Sequence, residues 1–100
     1  IQTATAVGDP AVAALELAPV QPTPVRGTGL VGFALPAAST VRLSVLDVQG
    51  REVARLAEGL YEAGRHQVRW EDAGRTGPGL YFVRLSAAGQ ILTRRTIVTR

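Results

Sequence analysis

Acyl-transfer and hydrolytic chemistry needs a nucleophile held beside a base, and this chain offers few of either. Serine occurs at Ser39, Ser44 and Ser86, none inside a Gly-x-Ser-x-Gly turn, and His66 is the one histidine. Cysteine is absent, which excludes thiolate nucleophiles, thiolate metal sites and disulfide frameworks. His66 alternates with Val68 and Trp70, so a half-buried ring bonded to backbone is expected of it and not proton transfer. Glu71 and Asp72 stand together at the edge of a glycine-rich stretch where a calcium ion could collect carboxylates. Two acids fall short of the roughly six to eight oxygens that calcium takes, so a solvated loop tip is expected. The same stretch, EDAGRTGPG from Glu71 to Gly79, lacks the Gly-x-x-x-x-Gly-Lys pattern and runs into a strand, which removes a phosphate cradle. The residues predict a non-catalytic chain with no cofactor.

The elements that position these residues read as strands. Val31, Phe33 and Leu35 alternate with Gly32 and Ala34, Ala37-Ala38-Ser39-Thr40 reads as a turn, and Val41, Leu43 and Val45 alternate with Arg42 and Ser44, the polar members facing solvent. Asp47-Val48-Gln49-Gly50 has the chemistry of a type I turn closed by glycine, with Arg51 to Leu56 as the return strand. Ala57 to Gly64 holds two glycines and predicts an irregular connection in which Leu60 and Tyr61 could cover a core edge. His66, Val68 and Trp70 face one way and Arg65, Gln67 and Arg69 the other, making Trp70 the largest core candidate. Tyr81, Val83 and Leu85 repeat the pattern, Ala87 to Gln90 makes a hairpin turn, and Ile91 to Val98 is the last strand.

The start of the chain differs. Ile1 to Ala13 mixes small residues, Thr, Gly and Pro without a period, and predicts a linker or arm ahead of a domain over residues 14–100. Leu15 and Leu17 begin the alternation. Pro19, Pro22 and Pro24 then fix φ and remove backbone donors, so that piece is an extended edge or crossover and not a central strand. Without a helical period anywhere, the prediction is an all-β, immunoglobulin-like antiparallel sandwich of about seven strands.

Bulk composition narrows the partners. One hundred residues suffice for one modest core, and the 46% of hydrophobic residues are mostly Ala, Val and Leu with five aromatics, which suits a thin sandwich better than a deep pocket. The net charge of +3 comes from 11 arginines and no lysine, spread along the chain except for Arg94, Arg95 and Arg100. Nucleic acid needs a clustered basic face, so it is not expected as a partner. No apolar run is long enough to span a bilayer as a helix, and no leader pattern opens the chain, so an exported protein would carry its signal peptide upstream of Ile1.

Three stretches carry a resemblance: Val45 to Val53 (VLDVQGREV), Ala63 to Trp70 (AGRHQVRW) and Pro78 to Leu85 (PGLYFVRL), followed by a basic end. In this order and spacing, from about Leu15 to Arg100, the chain resembles the C-terminal sorting domain of type IX secretion cargo. It is similar also to the immunoglobulin-like domain of the flagellar hook-capping protein. The resemblance implies a non-catalytic address that targets an attached upstream cargo domain across the bacterial outer membrane. Its implied partners are an outer-membrane translocon and a sortase-like protease, and its implied route is the periplasm and then the cell surface or medium. Asp47, Gly50, Arg51 and Val53 match the turn-centred motif, Gly79 and Tyr81 the Gly-x-Tyr strand start, and Arg95 and Arg100 the basic terminal residues. Two departures stand out: Pro22-Thr23-Pro24 replaces Pro-Asn-Pro, and Arg replaces terminal Lys, which changes hydrogen-bond geometry.

Arg51, Arg95 and Arg100, being polar, are the expected partner contacts, while Asp47, Gly50, Val53, Trp70, Gly79 and Tyr81 are expected to shape the framework. An exposed edge could receive a receptor strand through main-chain bonds. Two other readings are open: a carbohydrate-binding accessory module, for which Phe82 and Tyr61 are the plausible aromatic platform, and an immunoglobulin-like structural spacer. Oligomeric state is not predicted.

Overall fold

A computed structural model describes residues 12–71 and 73–99. The linker expected over residues 1–13 therefore lies almost wholly outside the described residues, as do Asp72 and Arg100. Val12 is already buried.

Eight strands follow one another: β1 (Glu16–Leu17), β2 (Gln21–Arg26), β3 (Thr28–Leu35), β4 (Ser39–Leu46), β5 (Glu52–Tyr61), β6 (Gly64–Trp70), β7 (Gly79–Ala87) and β8 (Gln90–Val98). They form the expected all-β sandwich. In one sheet β3 is central, with β6 along one side from Gly29↔Trp70 to Leu35↔Gly64, and with β1 and the start of β2 along the other. The second sheet runs β5-β4-β7-β8, antiparallel throughout. The alternating apolar sets meet between the sheets: Val31, Phe33 and Leu35 from β3 against Val41, Leu43 and Val45 from β4 and Val83 and Leu85 from β7, all buried. Each such side chain contributes about 1.5–3 kcal/mol relative to exposure.

The proline-rich β2 is the crossover its composition predicts. It pairs with β3 only at Gln21 and Arg26, then meets β8 in the one parallel contact, Val25↔Val98, extended by the Thr99 N–H donating to the Val25 carbonyl at 2.9 Å. Pro22 and Pro24 fall between these pairings, where no ladder donor is required.

Four expectations are corrected. The residues from Ala57 to Tyr61 are not an irregular connection but the second half of β5, paired with β4 as far as Ser39↔Tyr61. The chain alternates there, but its inward positions are Ala57, Gly59 and Tyr61 while Leu60 points out, so hydropathy does not mark the period; the two register shifts come earlier, where Val53 and Leu56 are extra residues on β5. Ser39 and Thr40 belong to β4 and not to the preceding turn. Leu60 does not cover the core, being 76% exposed, whereas Tyr61 is half-buried. Ser44 does not face open solvent: it is buried, because the Glu52 side chain folds over it and accepts its hydroxyl at 3.0 Å.

The two tight hairpins follow the local chemistry. Gly50 sits at φ 86°, and the Ala88-Gly89 pair at 53° and 75° makes the double positive-φ turn that joins β7 to β8.

Candidate recognition surface

The three motif stretches and the last strand, far apart in sequence, each reach the same end of the sandwich, the Ala63 to Trp70 stretch through Trp70. Leu46, the last residue of β4, pairs with Glu52 on one side and with Phe82 on the other, and Phe82 pairs with Arg95. Gly79 opens β7 opposite Val98, and Trp70 closes β6 at the same end, its ring edge-on to Tyr81 at 6.1 Å.

The turn is held by Asp47. Its Oδ1 accepts the backbone N–H of Gln49 at 2.9 Å and that of Arg51 at 3.0 Å, and its Oδ2 accepts the Arg51 Nε at 3.0 Å. The bond from the Arg51 backbone, then those from its side chain and from Gln49, hold the Asp47 carboxyl below its ordinary value against a smaller opposing effect of desolvation. Gly50 supplies the positive φ that lets its own N–H donate to the Asp47 carbonyl at 3.0 Å. Val53, a bulge residue, is 38% exposed and contributes no core contact.

The second pillar is Tyr81. Its ring is buried against Trp70, and its hydroxyl donates back to the carbonyls of Thr76 and Gly77, pinning the short 3-10 turn Ala73–Thr76 that precedes β7. A tyrosine at a strand start bonding backbone a few residues upstream is the corner found in immunoglobulin-like sandwiches. Gly79, at φ 148°, lets the chain turn from that corner into β7. Two buried polar atoms flank the ring without a partner among the described residues: Trp70 Nε1 and Thr96 Oγ1, Thr96 lying directly opposite Tyr81.

The expected partner contacts divide. Arg51 is highly exposed, 75% by side chain, with its Nε engaged by Asp47. Arg95 is exposed on β8 and has no ion pair among the described residues. Both stand at the motif end of the same sheet, three strand spacings apart, roughly 14 Å. Arg100 lies outside the described residues.

Sequence reasoning overlooked a charge network on the β4–β5 half of that sheet. Glu52 accepts Ser44 Oγ, Arg42 Nη2 and Arg55 Nε, each at 3.0 Å, and Arg55 also reaches Glu58 at 2.9 Å. The Ser44 hydroxyl first, then the two guanidiniums, hold the Glu52 carboxyl below its ordinary value. The alternating signs of Arg42, Glu52, Arg55 and Glu58 were visible, but pairing them requires the bulged register. Arg94 was also passed over: it donates Nε–H to the Leu17 carbonyl at 2.7 Å, tying β8 to β1 of the opposite sheet.

At the far end His66 stacks on Phe33 at 5.2 Å, meets Tyr61 edge-on at 5.2 Å, and donates from Nε2 to the Glu62 carbonyl at 2.7 Å. This is the backbone-bonded ring its strand position predicts. Ser39 donates to the Ala37 carbonyl and Ser44 to Glu52, so neither is bonded to His66. Tyr61 packs against Phe33 and His66, and Phe82 is partly exposed between Leu46 and Arg95 on neighbouring strands, so the two rings do not pair into one platform. Among the described residues no group of three or more His, Cys, Asp or Glu could hold a metal ion, and no helix is long and apolar enough to cross a membrane.

The geometry describes a framework end with an exposed, cationic last strand beside it; no protein-family model, curated protein or solved structure matches the chain to give that surface a family.

Proposed function

We propose that the chain is a non-catalytic sorting domain that directs an attached cargo across the bacterial outer membrane, to be attached at the surface or released. The observation that supports this most is the convergence of the motif stretches: Asp47 to Val53, Trp70, Gly79 to Tyr81 and the strand bearing Arg95 form one end of one sandwich. An address needs a shape that survives transport and side chains that a receptor can reach. The Asp47 turn and the Tyr81 corner support the first requirement, and Arg51 and Arg95 the second. On this reading the partners are an outer-membrane translocon and a sortase-like protease, the cargo lies upstream, and transit passes through the periplasm. A glycan-binding role is less well served, because Phe33, Trp70 and Tyr81 are buried and Tyr61 packs against the core, leaving Phe82 as the one partly exposed aromatic on the outer face of β7.

The test is a reporter fused ahead of the chain in a bacterium that carries the type IX machinery. The full chain is expected to bring the reporter to the surface, and removal of Thr96 to Arg100 to leave it in the periplasm. Thr96 and Val98 are buried, so this truncation also opens the core. A second arm, Arg51→Gln with Arg95→Gln, changes only exposed side chains and breaks one surface ion pair, that of Arg51 with Asp47; it is expected to hold the reporter in the periplasm with only a small drop in melting temperature. Surface delivery of the truncated chain at the full-length level rejects the proposal.

A further inference from the structure

Among the described residues, besides the two-residue β1, three strand edges of the sandwich lack a continuous neighbour: the outer sides of β5, β6 and β8. On β8 the side away from β7 is paired only at Val98, so from Gln90 to Ile97 that edge has no ladder partner among the described residues, with β2 running beside its Val98 end and β1 across the groove. A groove of about 700 Å³ runs along it, between Leu92, Thr93 and Arg94 on β8 and Leu15 to Pro19 and Phe33 on the other sheet.

Charge distinguishes the three edges. Along β5 the cations are neutralised within the chain, Arg42 and Arg55 by Glu52 and Glu58. Along β6, Arg65 pairs with Glu16 at 3.2 Å and Arg69 approaches Glu71 at 3.9 Å. On β8 the consecutive Arg94 and Arg95 have no acidic partner among the described residues; Arg94 meets only the Leu17 carbonyl, and both side chains are exposed. Successive strand residues point to opposite faces, so these two cations stand one on each side of the same open edge. Arg94 projects toward the groove and Arg95 toward the outer face, where Ile97, 50% exposed, lies two residues on and Ile91, 63% exposed, four residues back, with Thr93 between Ile91 and Arg95.

We propose that the open edge of β8 receives an added strand from a protein partner whose extended segment carries acidic side chains on both of its faces. The added strand completes the sheet through main-chain hydrogen bonds. Directly opposite positions bring Cβ atoms to about 4.5–5.5 Å, so one carboxylate meets Arg95 on the outer face and its neighbour in sequence meets Arg94 on the groove face. On the same face of the added strand, an apolar residue two positions to one side of the outer carboxylate covers Ile97, and one four positions to the other side covers Ile91. This deepens the sorting reading and rests on it for the partner being a protein; the edge itself is tested without any secretion.

The experiment titrates the isotopically labelled chain with a short synthetic peptide of paired glutamates separated by paired leucine and valine, and follows backbone amides by NMR. Shifts and slowed amide exchange are expected along Gln90 to Ile97, with the β5 and β6 edges unmoved. Arg94→Gln with Arg95→Gln is expected to weaken binding roughly tenfold, as for two exposed charge pairs, and added salt to weaken the wild-type complex. Ile97→Thr, which keeps both cations, is expected to weaken binding with an unchanged salt slope. A peptide N-methylated at alternate residues, unable to donate, is expected not to bind. Equal binding of the N-methylated peptide, of a lysine-for-glutamate peptide, of heparin or of phosphatidylglycerol vesicles overturns the proposal, as does a dimer of the chain closed through β8 or a response confined to another edge. Retention of peptide binding with normal surface delivery of the truncated reporter would reject the sorting reading alone.

Discussion

Replacing Tyr81 by Phe isolates the hydroxyl that anchors the motif end. The ring stays edge-on to Trp70 at 6.1 Å, so packing is conserved and only the O–H is removed. One donor serves two carbonyls, those of Thr76 and Gly77, and a net hydrogen bond is worth about 0.5–1.5 kcal/mol. Both acceptor residues are half-exposed, so water can rehydrate their carbonyls and the full penalty of buried, unsatisfied groups does not apply. The expected loss is therefore near the top of the single-bond range, about 1.5 kcal/mol. For a domain of this size that lowers the melting temperature by roughly 6–12 °C. Urea unfolding should show a lower midpoint with an unchanged m-value, while Tyr81→Ala, which also removes the ring, should lose about 3–5 kcal/mol. Amide exchange in residues 73–79 should accelerate more than in β4. A Tyr81→Phe variant within about 0.5 kcal/mol of the wild type, or with exchange unchanged over that turn, would refute the idea that the hydroxyl fixes the corner.

Thr96 is buried with an unpartnered hydroxyl, so Thr96→Val, of nearly the same shape, is expected to raise stability by about 1 kcal/mol in the same unfolding assay; destabilisation would mean the hydroxyl is satisfied. The acid limb of stability should depend on Asp47. A carboxyl held below its ordinary value in the folded chain contributes fully above the unfolded value, near 3.8, and loses that contribution as pH falls through the lower folded value. Urea midpoints measured at falling pH should thus converge for wild type and Asp47→Asn, the wild type losing its advantage; a constant gap would show that the carboxylate charge is not involved.

How far the fold was legible depended on whether a strand kept its period. Val31, Phe33 and Leu35, and likewise Val41, Leu43 and Val45, lie in uninterrupted runs with one face in the core, and alternation located both within a residue or two. The Asp47–Gly50 turn was equally plain, because its bonds are local: an Asp carboxylate reaching two and four residues ahead needs no tertiary partner. Along β5 the same reasoning failed. Its second half carries Ala57 and Gly59 inward and Glu58 and Leu60 toward solvent, as an edge strand can, so the apolar alternation that marks a strand is missing. Ser44 misled for a related reason: a polar side chain at an outward position was buried by a carboxylate arriving from the neighbouring strand.

The recognition surface was legible as residue types and not as a place. Arg51 and Arg95 were chosen as polar residues in or near the motif stretches. That Asp47 already engages Arg51, and that Arg95 and Arg94 have no acidic partner among the described residues, depends on which side chains the other strands bring near.

Composition and local pattern by themselves determined an all-β chain without thiol chemistry, with a proline-bearing crossover, a Gly50 turn and Trp70 and Tyr81 as core anchors. Those properties reside in the chemistry of single residues and in spacings of two to four along the chain. Tertiary structure alone decided that β2 hands the chain from one sheet to the other, that four distant stretches share one end, and that β8 ends with an open, uncompensated edge. Each of these is a statement about which strand lies beside which, and strand neighbours are chosen by long-range burial that no local window contains.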